Sequence, residues 1–342
     1  MLYETDADWR AAIEGTLSAI LAARRADVVA DAPPLGQVVD LLTPLAMGGK
    51  HVRPAFAWWA YVAIAGEPAD PAPLLGLAAS LDLTHAGLLA HDDLIDASDT
   101  RRGMATTHKA VAALGPAGDD VLGVAGAVIG GAWLLQWAQQ AFDECGLTIT
   151  PGMRAAFNAM RSRVLTGQMA DAWAGSGLPL PNAVALIDDL KTASYTVVGP
   201  VQLGALAAGC DDERLLAFAL PVGRAYQARD DVLGVFGRPE LTGKPAGDDL
   251  RRAKVTALVQ AALEMAGPAD ATRLRATLGN HDASDDQIAE ATGIIQDCGA
   301  LAEVEAGIEN DLRRALIALD QAGVTQQGGL ARLARACLLR DR

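Results

Sequence analysis

The chain has 342 residues, 51% of them apolar and 20% charged, a balance that excludes a disordered segment or a fibrous repeat and provides for a large core. Only 4% is aromatic, so that core is built from Ala, Leu, Val and Gly, the side chains of closely packed helices. With 28 Lys and Arg against 42 Asp and Glu the formal charge is −14; this argues against a general binder of nucleic acid or anionic lipid, though not against a small anionic substrate bridged by divalent cations.

Helical periodicity runs from end to end, and strand alternation does not. The opening segment MLYETDADWRAAIEG is acidic and amphipathic. It has neither a basic n-region nor an apolar h-region and is not read as a signal peptide. The pattern predicts helices over 8–30, 36–47, 53–65, 72–96, 119–142, 151–173, 183–198, 200–209, 212–236, 249–266, 285–298, 300–322 and 328–340. Breakers such as Pro33-Pro34, Gly48-Gly49, Gly115-Pro116, Gly199-Pro200 and the Gly-rich run 237–247 separate them. No linker is long or polar enough to divide the chain into domains, so the expectation is one all-α domain over 1–342. From Val121 to Phe142 there is no charge, and the stretch is long enough to span a membrane. Gln136, Gln139, Gln140, several glycines and acidic flanks point instead to a helix buried in a bundle or at a subunit interface, with no stable membrane insertion. Cys145, Cys210, Cys298 and Cys337 are far apart and match no metal spacing; a reducing cytoplasm is the expected compartment.

The sharpest local feature is His91-Asp92-Asp93-Leu94-Ile95-Asp96. Asp92 and Asp96 are one helical turn apart and share a face. They follow the apolar run 74–90. Two carboxylates there repel unless a cation lies between them, and Mg²⁺ prefers such oxygen ligands together with substrate phosphates. On spacing alone a solvated acidic helix end is an equally good reading. Arg101-Arg102-Gly103 then adds two guanidiniums suited to phosphate, although they could merely neutralise the acids. Gln227-Ala228-Arg229-Asp230-Asp231 places a second acid pair after another apolar helix, with Lys244 in a Gly-rich loop and Lys254 one turn into the following helix. Gly48-Gly49-Lys50-His51-Val52-Arg53-Pro54 is a Gly-rich turn with cations at a helix start, a natural anion site. Each piece alone is weak. Together they describe acidic metal sites surrounded by cations in an apolar bundle, fit for one or two diphosphates.

In this ordered set the sequence resembles the trans-isoprenyl diphosphate synthases (polyprenyl synthetases), and most the bacterial geranylgeranyl type. The motifs are GGKHVRP at 48–54, His85, DDLID at 92–96, RRG at 101–103, GQMAD at 167–171, KTASYT at 191–196, QARDD at 227–231 and GKPAGDDL at 243–250. The resemblance implies an all-α bundle of about a dozen helices around a deep central cavity, working as a homodimer. It implies that Asp92 and Asp96 hold two Mg²⁺ ions and Asp230 a third. Arg101, Lys191 and Lys244 would bind the allylic diphosphate. Lys50, Arg53, His85 and Arg102 would bind isopentenyl diphosphate. Thr192 and Gln227 would stand with Lys191 near the ionising carbon.

Gly87 and Leu88 stand where bulky aromatics stop chain growth early in the family. Their lack of a ring, with Trp133 as a candidate floor, leads to geranylgeranyl diphosphate as the expected main product. Farnesyl or longer products are the alternatives. Four positions depart from the family pattern: Gly234 for a third acid, His51 for Arg, Ala105 for Pro and Ala132 for Asp. A non-catalytic regulatory subunit would usually have lost the acids or the isopentenyl site. A terpene cyclase would not need Lys50, Arg53 and His85.

Overall fold

The computed structural model describes residues 6–116, 118–211, 213–237, 247–254, 256–280 and 282–338. Its elements are helical apart from one two-stranded hairpin, and the chain divides into two compact units, 1–157 with 200–211 and 158–199 with 212–342.

The first unit contains α1 (Asp6–Asp31), α2 (Gly36–Met47), α3 (Val52–Ala65), α4 (Ala72–Ile95), α5 (Thr107–Ala112) and α6 (Asp120–Asp143). It also holds the start of α7 (Pro151–Gly175) and most of α9 (Gly199–Ala207). Helix α4 is its centre, packed against α1, α2, α3 and α6. Its hydrophobicity is spread around the helix, as a helix surrounded by others requires. Where α4 crosses α6, Gly87 meets Gly131: a Cβ on Gly87 would lie 2.8 Å from the Gly131 carbonyl oxygen. Only the absence of a side chain lets the two backbones approach so closely. Phe142 and Phe157 stack with ring centroids 4.3 Å apart and close the far end.

Among the described residues, two helices are long and apolar enough to cross a membrane. The apolar window of α4 is 78% buried and that of α6 44%. On α6, Gly123, Ala127, Gly130 and Leu134 face inward, while Val121, Val124, Val128 and Ile129 are exposed.

The second unit continues α7 and adds α8 (Ala183–Ile187), α10 (Arg214–Phe236), α11 (Asp248–Arg251), α12 (Ala257–Met265), α13 (Pro268–Thr277), α14 (Asp285–Asp297), α15 (Ala300–Gln321) and α16 (Gly328–Leu338). Its core gathers Val232, Val235, Leu250, Leu258, Ala262, Ile288 and Ile295. Helix α10 lies along α15. Arg229 ties it further: Nε donates to the Leu338 carbonyl at 2.8 Å, and Nη1 lies 3.6 Å from Glu305.

Several sequence expectations change here. The helix expected over 249–266 is broken. Ala253 takes a left-handed φ of 49°, and Thr256 starts α12 afresh by accepting from the Val259 amide at 3.2 Å. Lys254 therefore lies in the connection before a helix, not one turn into it. The sequence pattern left out α5, which is short, and α13, which Pro268 opens at its first turn. After Ile187 the expected α-helix widens into a π-helix over Asp188–Val198.

Candidate active site

In the first unit, α4 delivers Asp92 and Asp96 half-buried at its C-terminal end, one turn apart. The intervening Asp93 is 0% exposed, a role that no spacing rule predicts. Its Oδ1 accepts from Arg101 Nε at 2.7 Å and from Arg101 Nη2, whereas Asp92 lies 3.7 Å from the same guanidinium. The charge of Asp93, with Asp92 and Asp96, outweighs burial and holds Arg101 above its ordinary value.

The hairpin that carries Arg101 is minimal. β1 (Thr100–Arg101) pairs antiparallel with β2 (Met104–Ala105), Arg101 opposite Met104. The two turn residues Arg102 and Gly103 both have positive φ, the pattern of a type I′ turn. The tight turn sends the two arginines apart. Arg101 returns to Asp93, and Arg102 lies over the Gly48-Gly49 turn, where Cβ atoms would come within 2.6 Å and 2.8 Å of its guanidinium.

That turn leads into α3. Lys50 is exposed, and Arg53 is 8% exposed. His85 sits two turns before Asp92 on α4. Loss of hydration, then the charges of Arg53, Arg102, Arg101 and His51, holds its imidazole well below the ordinary value, so the ring is neutral. Arg53 and Arg102 thus act on His85 within this unit, and Lys50 stands exposed on the turn that leads to Arg53.

In the second unit, the π-helix carries Lys191 and Thr192. Such widened turns recur at functional sites. Gly167 of the GQMAD stretch makes room for it, since a Cβ there would lie 2.2 Å from the Lys191 amide nitrogen. Lys191 Nζ pairs with Asp171 of the same stretch at 2.5 Å. Thr192 Oγ1 donates to Gln227 Oε1, and Gln227 Nε2 donates to Asp231 Oδ1 at 2.6 Å. Lys191 and Thr192, neighbours on the π-helix, thus reach two other helices, Lys191 to Asp171 on α7 and Thr192 to Gln227 on α10.

Asp230 is half-buried beside Asp231, and burial, followed by the charges of Asp188 and Asp249, pushes Asp231 well up. Gly234 faces Asp249: a Cβ would fall 1.9 Å from Asp249 Oδ2, so the space of a third acid is already filled by another carboxylate. Lys244 lies outside the described residues.

The carboxylates suit Mg²⁺. Asp93 Oδ2 and Asp231 Oδ2 are buried without a hydrogen-bond partner. Among the described residues no three His, Cys, Asp or Glu side chains converge as a self-sufficient metal site. A Mg²⁺ ion held at either acidic helix end would take its remaining oxygens from substrate phosphates and water.

The polyprenyl synthetase family model matches residues 37–295. The chain belongs to the polyprenyl synthetase family. This synthase is 33% identical over 269 residues to the geranylfarnesyl diphosphate synthase of Aeropyrum pernix, covering 76% of this chain and 79% of that one. It is 35% identical over 263 residues to the (2E,6E)-farnesyl diphosphate synthase of Mycobacterium tuberculosis, covering 73% and 67%. Among solved structures it is similar to the geranylgeranyl pyrophosphate synthase of Corynebacterium glutamicum, complexed with isoprenyl diphosphate and magnesium. There the TM-score is 0.90 and the identity 33%, over 97% of this chain and 98% of that one. The synthase has the all-α isoprenoid synthase fold and is a trans-prenyltransferase that makes prenyl diphosphates.

The chain-length residues are placed less simply. Leu88 is half-buried. Trp133 is half-buried and stacks on Trp137 with centroids 5.9 Å apart. Gly87 is covered by α6, against Gly131 and Leu135. A ring at position 87 meets the α4–α6 crossing first.

Proposed function

We propose that this synthase condenses isopentenyl diphosphate with an allylic diphosphate in a Mg²⁺-dependent reaction whose main product is geranylgeranyl diphosphate. The observation that carries the product is the lack of an aromatic ring at Leu88, one turn before Asp92; Gly87 beside it is closed off by α6. The likeness to the Corynebacterium enzyme supports it. Asp92 and Asp96 take two of three Mg²⁺ ions and Asp230 the third. Bound Mg²⁺ neutralises charge that develops on the leaving diphosphate.

Arg101, Lys191 and Lys244 bind that allylic diphosphate and stabilise its charge as the C–O bond ionises. The clamp of Asp93 on Arg101 and of Asp171 on Lys191 keeps both cations preorganised. Thr192 and Gln227 present oxygen dipoles beside the allylic cation. Lys50, Arg53, His85 and Arg102 hold isopentenyl diphosphate. The neutral His85 ring still offers one N–H donor. The double bond of isopentenyl diphosphate attacks the cation, and the proton then lost passes to the departed diphosphate, so no side-chain base is needed. The hairpin's separation of Arg101 from Arg102 supports assigning them to different substrates.

We further propose a cytoplasmic homodimer acting as one domain over 1–342. The exposed apolar face of α6, with Val121, Val124, Val128 and Ile129, is the surface a second copy would cover.

The test is a chain-length assay with dimethylallyl, geranyl and farnesyl diphosphate as starters. Twenty-carbon product from all three is expected. A product that stops at fifteen carbons overturns the chain-length reading, and diphosphate release without isopentenyl diphosphate overturns the condensation itself. Lys50→Ala should raise the KM for isopentenyl diphosphate far more than that for the allylic substrate; the reverse pattern means the two sites are exchanged.

A further inference from the structure

We propose that His51 is a positioning residue for the isopentenyl diphosphate site: a buried clamp between α1 and α4 that holds the 48–54 turn in its binding shape and makes the affinity of that site depend on pH. The proposal rests on assigning Lys50, Arg53, His85 and Arg102 to isopentenyl diphosphate.

His51 lies between Lys50 and Arg53 in sequence, yet its side chain is 1% exposed. The residue caps α3 with a left-handed φ of 49°, a conformation that costs a non-glycine residue about 1–2 kcal/mol. The twist turns the ring inward, where both nitrogens meet acids. Nδ1 is 2.5 Å from Asp82 Oδ2, and Asp82 is itself buried. Nε2 is 3.5 Å from Glu14 Oε1, near enough for charge attraction but without hydrogen-bond geometry. A neutral imidazole has one N–H and cannot serve two carboxylates, whereas the imidazolium has two.

Titratable or charged groups face this corner from every element packed around the ring. From α1 come Glu14 and Arg10, whose Nη1 donates to the Gly49 carbonyl at 3.1 Å. From α4 come Asp82 and His85, from α3 Arg53, and from the hairpin Arg102. Burial opposes the charged ring and Arg10 adds to that. The hydrogen bond and charge of Asp82, helped by Glu14, outweigh both and hold His51 above the ordinary histidine value.

The consequence follows from position. Asp82 lies three residues before His85 on α4, so the His51–Asp82 bond fastens the Lys50–Arg53 turn to the helix that presents His85. Because His51 binds its proton more tightly folded than unfolded, the link is charged just below the ordinary histidine value; burial pushes the Asp82 carboxyl up and so bounds it on the acid side. The link's charge-assisted strength is lost as pH rises through the folded histidine value. Deprotonation leaves at most one N–H, on Nδ1 toward Asp82, removes the positive charge between Asp82 and Glu14, and so loosens the turn.

The experiment measures KM for both substrates from about pH 6 to about pH 9 in the wild type, His51→Arg and His51→Gln. Arginine supplies a charge that does not titrate. Dividing wild-type by His51→Arg values at each pH cancels ionisation of the substrates. The expected ratio for isopentenyl diphosphate rises by about tenfold toward the alkaline end, the loss of one charged hydrogen bond, while the allylic ratio stays flat. His51→Gln should show the high KM already at low pH. Histidine-ring NMR of the wild type adds a readout that does not depend on variants folding, and expects His51 to titrate above ordinary histidine. A pH-independent isopentenyl ratio, or a ring neutral throughout, overturns the proposal. Lys50→Ala run alongside separates the two layers. An unchanged isopentenyl KM there overturns the site assignment, and a raised one with a flat pH ratio overturns only the role of His51.

Discussion

Asp93→Asn separates the carboxylate that holds the fold from the one proposed to meet substrate. Asp93 is fully buried, and it accepts two donors from Arg101, whose side chain is 19% exposed. Asparagine keeps the shape and removes the charge, so Arg101 loses its buried counter-ion. Removing one partner of a buried pair costs about 3–5 kcal/mol. Here Arg101 keeps some water, and Asp92 stands 3.7 Å away as a substitute, so about 2–3 kcal/mol is expected. Calorimetry should then show Tm lowered by about 3–4 °C. Asp92→Asn is the counterpart. The contact of Asp92 with Arg101 is long and partly hydrated, so stability should change by less than about 1 kcal/mol. Turnover should nevertheless fall by about 10²–10³, the loss of a preorganised charge stabiliser. An Asp92→Asn variant that loses as much Tm as Asp93→Asn, or an Asp93→Asn variant with wild-type Tm, would refute this division of labour.

Gly234→Asp, which restores the acid usual in the family, should lower Tm, because its Cβ would enter the space of the buried Asp249 carboxylate and two acids would then share one site; an unchanged Tm with raised turnover would show that Asp249 moves aside freely. Asp188 is pushed up to about 7 by burial and then by the charge of Asp189. The folded state therefore binds its proton more tightly than the unfolded chain, and stability falls as pH rises from about 4 through 7. Asp188→Asn should raise Tm relative to wild type at pH near 8 and change it little near pH 4, as thermal melts across pH would reveal. Gly87→Phe should cost folded yield and Tm before it changes product length, since core overpacking costs about 1–3 kcal/mol or more; a variant of wild-type Tm with a shortened product would show that the ring reaches the chain cavity instead.

Spacing along one helix is legible in the sequence. Asp92 and Asp96 share a face because 3.6 residues make a turn, and the structure keeps them on one helix end. The break before α12 depends on Ala253 leaving the helical region, which an alanine gives no reason to expect, although Thr256 is available as a capping signal. Asp93 is hidden for another reason. Three acids in a row of five look alike until one is known to be inside, and only the hairpin turn that returns Arg101 to α4 decides which. Asp171 stands within a motif, but its partner is twenty positions away on a different helix, a distance that no local pattern spans.

Gly87 shows where such reading ends. Periodicity places it near Asp92 and Leu88, and a missing side chain there reads equally well as open space for a growing chain or as close contact with a neighbour. The two differ in what lies opposite. Here it is the Gly131 carbonyl oxygen, with Leu135 beside it, and Gly131 is in turn approached by the Gly87 carbonyl at 3.0 Å from its own notional Cβ. A reciprocal fit of that kind is a property of two helices together. Each sequence segment alone holds half of it, and the glycine on one helix acquires its meaning only when the other is laid across it.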